Sequence, residues 1–115
     1  MTLYEHIKKS NDGEEITVYD TEYDMETYFY NDEPDNEWQR AMLKLAKLLT
    51  ITEKCENGVT VNLSGLIKKN MDKLKEATLF YICDLDTIME HMSEILSGNV
   101  SEEWITEFVD TLMED

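Results

Sequence analysis

Basic residues are missing from two long stretches of this chain. No Lys or Arg occurs between residues 12 and 37, and none between residues 84 and 115. Glycine occurs four times, at Gly13, Gly58, Gly65 and Gly98, always isolated, so no Gly-rich loop is present to cradle a phosphate. The longest strictly apolar run, Leu79 to Cys83, is far shorter than the roughly 20 residues a membrane-spanning helix requires. The opening residues Met1-Thr2-Leu3-Tyr4-Glu5-His6 lack a basic region followed by an apolar stretch, so no secretory signal is expected and the chain reads as cytoplasmic. Cysteine is limited to Cys55 and Cys83. Without an export signal a disulfide is not expected; Cys83 reads as a buried small hydrophobe and Cys55 as an incidental thiol. These two and His6 and His91 show no short paired spacing, so no zinc site and no cofactor is expected.

What is abundant is acid. The 115 residues carry 26 Asp and Glu against 10 Lys and Arg, a formal charge of −16. Residues 12–37 hold eleven acids, residues 84–115 hold ten, and the centre, residues 38–83, holds eight bases and four acids. With 42% hydrophobic residues, the length suits one domain, 1–115, with a real core rather than a disordered acidic tail. A pI of about 4.3 argues against direct nucleic-acid binding through a basic face. Solubility alone asks for a net charge of only about 2–8 in a small domain, and the excess works against the compact state. Solvated faces are the plain explanation of such runs; a strongly positive partner is the alternative.

Periodicity outlines the elements. Thr2 and Glu5 fit a capping box opening a short helix over residues 3–9, with Leu3, Tyr4 and Ile7 on one face and a stop at Asn11-Asp12-Gly13. Residues 15–20 and 25–30 alternate as strands of an antiparallel hairpin, with Met25, Thr27 and Phe29 on one face and Glu26, Tyr28 and Tyr30 on the other. A helix over 36–49 follows, capped by Asp35 or Asn36, with Trp38, Ala41, Met42, Leu45, Leu48 and Leu49 as its stripe. Residues 50–55 and 59–63 form a second hairpin, with Asn57-Gly58 at its tip because both tolerate positive φ. Helices are expected over 64–76, opened by Asn62 or Ser64; from Asp84 or Asp86 to Leu96, stopped by Ser97-Gly98-Asn99; and after Ser101. The fold class is α+β, with small antiparallel β-hairpins packed on a body of about four to five short helices.

No catalytic constellation stands out, and the chain reads as a non-enzyme. Asp20-x-Glu22-x-Asp24-x-Glu26 alternates oxygens as a calcium loop does, but lacks the central Gly and the distal bidentate Glu. Carboxylate pairs fit for glycoside hydrolysis arise anywhere in so acidic a chain and point nowhere. The acidic blocks are more informative. Same-face carboxylates on a strand lie about 6.6 Å apart, and one DNA strand carries a charge about every 3.4 Å. If strand geometry extends back through Glu22, Asp24 and Glu26, they project on one side as a row that could occupy a groove built for phosphates. Tyr19, Tyr23, Tyr28 and Tyr30 lie among these acids and offer rigid contact area with polar tips; a cross-strand aromatic ladder is the alternative reading. The partner-binding set is Asp20, Glu22, Tyr23, Asp24, Glu26, Tyr28, Tyr30, Asp32 and Glu33.

The segment Glu15-Ile-Thr-Val-Tyr-Asp-Thr-Glu-Tyr-Asp-Met-Glu-Thr-Tyr-Phe-Tyr30, in a small acidic domain without motifs, resembles proteins of phages and mobile elements of low-GC Gram-positive bacteria. Within that group the chain is similar in type to the anti-CRISPR proteins, in size, charge and style rather than by motif. The resemblance implies a nucleic-acid-mimicking inhibitor, without cofactor, that engages the basic channel of a Cas nuclease in the bacterial cytoplasm. The alternative is a self-associating accessory module, a homodimer in which the lysines of residues 64–76 dock the acidic helices of a second copy.

Overall fold

The computed structural model describes residues 1–76, 85–96 and 100–113. Ten elements follow in order: α1 (Leu3–Lys8), β1 (Glu15–Asp20), β2 (Glu26–Tyr30), α2 (Glu37–Leu48), β3 (Ile51–Cys55), β4 (Gly58–Val61), α3 (Leu63–Lys69), α4 (Met71–Glu76), α5 (Leu85–Leu96) and α6 (Glu102–Met113). The class is α+β, but the two hairpins are not separate. They merge into one four-stranded mixed sheet of order β2-β1-β4-β3, in which β1 and β4 run parallel and the hairpin pairs run antiparallel. Among the described residues six helices stand where about four to five were expected, because the helix foreseen over 64–76 breaks at Asn70. There the Asn70 side chain donates to the Leu66 carbonyl (2.8 Å) and its N–H to that of Ile67 (3.0 Å), closing α3 before α4 begins.

Alternation places the core. On β1 and β2, Ile16, Val18, Thr27 and Phe29 are buried, while Glu15, Glu26, Tyr28 and Tyr30 are exposed. Val59 and Val61 of β4 continue the buried face. Against it lie Leu3 and Ile7 of α1, Ala41, Met42, Leu45 and Ala46 of α2, Ile67 and Leu74 of α3 and α4, Ile88, Met89, Met92 and Leu96 of α5, and Ile105, Phe108, Val109 and Leu112 of α6, in one continuous cluster. No helix among the described residues is long and apolar enough to cross a membrane.

Caps set the helix starts. Thr2 and Glu5 form the expected reciprocal box: Thr2 N–H donates to Glu5 Oε1 (2.9 Å) and Glu5 N–H to Thr2 Oγ1 (3.1 Å). Asn36 rather than Asp35 caps α2, Asn62 rather than Ser64 caps α3, and Ser101 caps α6. The run Leu79–Cys83, the candidate cap Asp84 and the stop at residues 97–99 lie outside the described residues, as do the side chains of His91 and Ile95. Asp86 falls in the first turn of α5 instead of before it.

The second hairpin turns where expected for a different reason. Cys55 pairs with Gly58, so the loop is Glu56-Asn57 and Gly58 is the first residue of β4. Gly58 does not have positive φ; among the described residues only Gly13 does, at 78°. Gly58 is glycine because β1 comes so close: a Cβ there would stand 2.3 Å from the Thr17 carbonyl oxygen. Its small size lets the two hairpins join.

Candidate functional site

The residues singled out by their acidity fall into three places. Asp20 ends β1 facing inward and is 8% exposed. Its Oδ2 accepts the N–H groups of Glu22 (2.9 Å) and Tyr23 (3.0 Å), and its Oδ1 accepts that of Ser64 in the first turn of α3 (2.8 Å). A carboxylate that receives three backbone donors is an internal anchor, so Asp20 leaves the partner-facing set. It folds residues 21–24 into a turn, helped by Thr21, whose N–H donates to the Val61 carbonyl (3.1 Å) and whose Oγ1 lies 3.2 Å from Asn62 Oδ1.

Glu22 and Asp24 are exposed on that turn, whereas Tyr23 is half-buried. The strand begins only at Glu26, so Glu22, Asp24 and Glu26 do not form the straight phosphate-spaced row that extended geometry would give. The Tyr23 hydroxyl donates to Asp86 Oδ1 of α5 (2.5 Å). That bond, reinforced by loss of hydration and neighbouring carboxylates, pushes the phenol up to about 12.

The third place is the outer face of β2. Tyr28 and Tyr30 are 41% and 48% exposed. Their strand partners are Thr17 and Glu15, and Tyr19 faces Glu26, so tyrosines are paired with acids or threonine rather than with one another. No directly opposed aromatic ladder forms. The Tyr28 hydroxyl donates to Glu26 Oε1 (2.7 Å) and that of Tyr30 to Glu15 Oε2 (3.1 Å); each bond raises the phenol above its ordinary value. Asp32 and Glu33 follow, exposed, in the connection to α2. Glu22, Asp24, Asp32 and Glu33 make no ion pair with any described Lys, Arg or His.

Alongside β2 runs a groove of about 430 Å³. All five β2 residues line it, with Asp32, with Trp38, Gln39, Met42 and Leu43 across from them on α2, and with Glu94 and Leu96 at the end of α5. Its charged lining residues, Glu26, Asp32 and Glu94, are all acidic. The groove and the Tyr23–Asp86 bond therefore bring the two acidic blocks together around β2, although they lie far apart in sequence. Composition missed the α2 wall. Leu43 was its available signal, an apolar residue off the core stripe of α2, half-buried in the structure.

A second hollow, about 270 Å³, lies between His6, Glu14, the start of β1 and the tip of the β3–β4 hairpin. Burial, followed by the charge of Lys54, pushes the His6 imidazole below its ordinary value. Cys55 is a free, exposed thiol whose Sγ lies 3.3 Å from the Gly58 carbonyl oxygen. Among the described residues no group of three or more His, Cys, Asp or Glu is placed to hold a metal ion. Compared with known protein families, curated proteins and solved structures, the chain finds no match.

Proposed function

We propose that this chain is a non-enzymatic acidic binding protein that occupies the basic nucleic-acid channel of a partner, as an anti-CRISPR-like inhibitor of a Cas effector in the cytoplasm of a bacterium carrying a phage or mobile element. The observation that carries this reading is the meeting of both acidic blocks around β2, where exposed carboxylates gather about exposed Tyr28 and Tyr30, and where Glu22, Asp24, Asp32 and Glu33 make no ion pair with a described cation. Carboxylates so placed can accept charge-assisted hydrogen bonds from arginines that otherwise hold phosphates. The tyrosines add contact area at little entropic cost. Glu22, Tyr23, Asp24, Glu26, Tyr28, Tyr30, Asp32 and Glu33 form the surface; Asp20 supports it from within.

The test is displacement of a fluorescent target duplex from a Cas9-type nuclease–guide complex, read by anisotropy. Displacement at low salt that fades as salt rises is expected. The combined variant Glu22→Lys, Asp24→Lys, Asp32→Lys and Glu33→Lys should abolish it while melting no lower than the parent, since it also relieves repulsion. No displacement at low salt overturns the proposal. The lysines that close α3 and α4, opposite in sign to the acidic helices α5 and α6, favour a second reading, self-association. Light scattering at low and high salt separates the two, since a dimer without affinity for the nuclease supports the second.

A further inference from the structure

The two edges of the sheet differ. On β3 the register slips between Ile51 and Glu53, and exposed Glu53 and Lys54 follow, features that discourage further pairing. On β2 the five-residue register with β1 is unbroken. Just beyond it, Asn31 donates to the Glu14 carbonyl (3.1 Å) and accepts from Gly13 N–H (2.8 Å), so its backbone points toward β1. In an antiparallel ladder this direction repeats every second residue. The amides and carbonyls of Thr27 and Phe29 therefore also point to β1, and those of Tyr28 and Tyr30 point away, into the groove. There they have no backbone partner among the described residues.

We infer that the groove beside β2 receives an extended peptide segment of a protein partner, paired with the edge of β2, with apolar side chains on one face and Arg or Lys on the other. The alternation follows from the walls. Side chains of an added strand that point toward the helical layer meet Trp38, Met42 and Leu43 of α2. Those on the opposite face lie beside Glu26, Tyr28 and Tyr30, where cations find carboxylates and aromatic faces. Charge selects this occupant over a second copy. Edge-to-edge pairing of two copies would bring Glu26 and Asp32 of each against the other's in molecules that each carry −16. The inference rests on the proposed function in that both need a basic partner, but it assigns the contact to backbone pairing rather than to phosphate mimicry alone.

The probe is a capped octapeptide of alternating Arg and Val, added to ¹⁵N-labelled protein and followed by amide hydrogen exchange. Exchange at Tyr28 and Tyr30 should slow at least tenfold, and an alternating Glu-Val peptide should not slow it. N-methylating every Arg, or every Val, removes donors from one edge of the peptide only. One of these two peptides should therefore lose binding and the other keep it, whereas equal effects overturn the inference. The variant Asp32→Lys/Glu94→Lys should weaken the peptide tenfold or more, and Tyr28→Pro, which removes an outward N–H, should do the same. Binding that leaves the Tyr28 and Tyr30 amides unchanged, or protection that grows with protein concentration and no peptide, also overturns it. If duplex displacement from the nuclease persists in Tyr28→Pro at parental strength, this inference fails and the proposed function stands; if no variant or parent displaces duplex, the proposed function fails whatever the peptide does.

Discussion

Replacing Asp20 by Ala removes an acceptor from three backbone donors at once. Two of them, the N–H groups of Glu22 and Tyr23, sit in a partly exposed turn, where water can take over from the carboxylate. The third, Ser64 N–H, belongs to a fully buried residue. Leaving a buried donor unsatisfied costs about 1–3 kcal/mol, and hydrogen bonds to a charged group contribute about 1.5–3 kcal/mol before water compensates. The sum is roughly 2–4 kcal/mol, a large share of the roughly 6–17 kcal/mol that a chain of this length has in total. With a urea slope of about 2 kcal/mol per molar, the middle of the usual range, the unfolding midpoint should fall by about 1–2 M. Asp20→Asn keeps one carbonyl oxygen and should lose about half as much. Equilibrium unfolding monitored by Trp fluorescence measures both. An Ala variant within 0.5 kcal/mol of the parent would refute the role of Asp20 as the tie between β1, the 21–24 turn and α3.

Gly58→Ala drives a Cβ into the Thr17 carbonyl, which is backbone and cannot swing aside, so a loss of about 1–3 kcal/mol or more in urea unfolding is expected. Thr2→Ala breaks the capping box and should cost about 0.5–2 kcal/mol. Its partner Glu5 is held below its ordinary value of 4.5, first by the Thr2 backbone N–H. That contribution is therefore full above pH 4.5 and disappears as pH falls through the lower folded value; melting curves of the parent and Glu5→Gln should converge over that window and differ above it. In a phenol titration at 295 nm, the group titrating near 12 should vanish in Tyr23→Phe and move toward 10 in Asp86→Asn.

Most elements could be read from local pattern because local physics made them. The Thr2–Glu5 box, the alternation of Ile16, Val18, Thr27 and Phe29, and the stripes of α2 and α6 each depend on residues a few positions apart. What could not be read depends on distant neighbours. Nothing near Asn57-Gly58 announces that β4 lies parallel to β1, and the same dipeptide fits a simple hairpin tip. Asp20 looks like any other acid of residues 12–37 until Ser64, 44 positions on, presents its N–H. Asn70 could have flagged the break between α3 and α4, since asparagine competes with the helix for its own carbonyls. The candidate site was legible as a segment and not as a shape. Sequence counts charge along a line, whereas the groove is made by α2 and α5 approaching one strand.

The charge itself supplies a final discriminating measurement. Acids outnumber bases by sixteen, 26 to 10, so the charge cannot balance within the molecule. The ion pairs Arg40–Glu37 and Lys44–Asp110 are exposed and weak. Repulsion therefore outweighs attraction, and adding salt should stabilise the fold by screening it. Each 1 kcal/mol so recovered raises Tm by roughly 4 °C in a domain of this size. Sodium chloride from 20 mM to 500 mM should move Tm upward, while affinity for a basic partner falls over the same range. The opposite slopes matter because unfolding cannot then explain the loss of binding. A Tm that stays level or drops with salt would mean that the excess carboxylates stand too far apart to cost stability, and it would refute the claim that repulsion gathered on this surface is what a partner's arginines relieve.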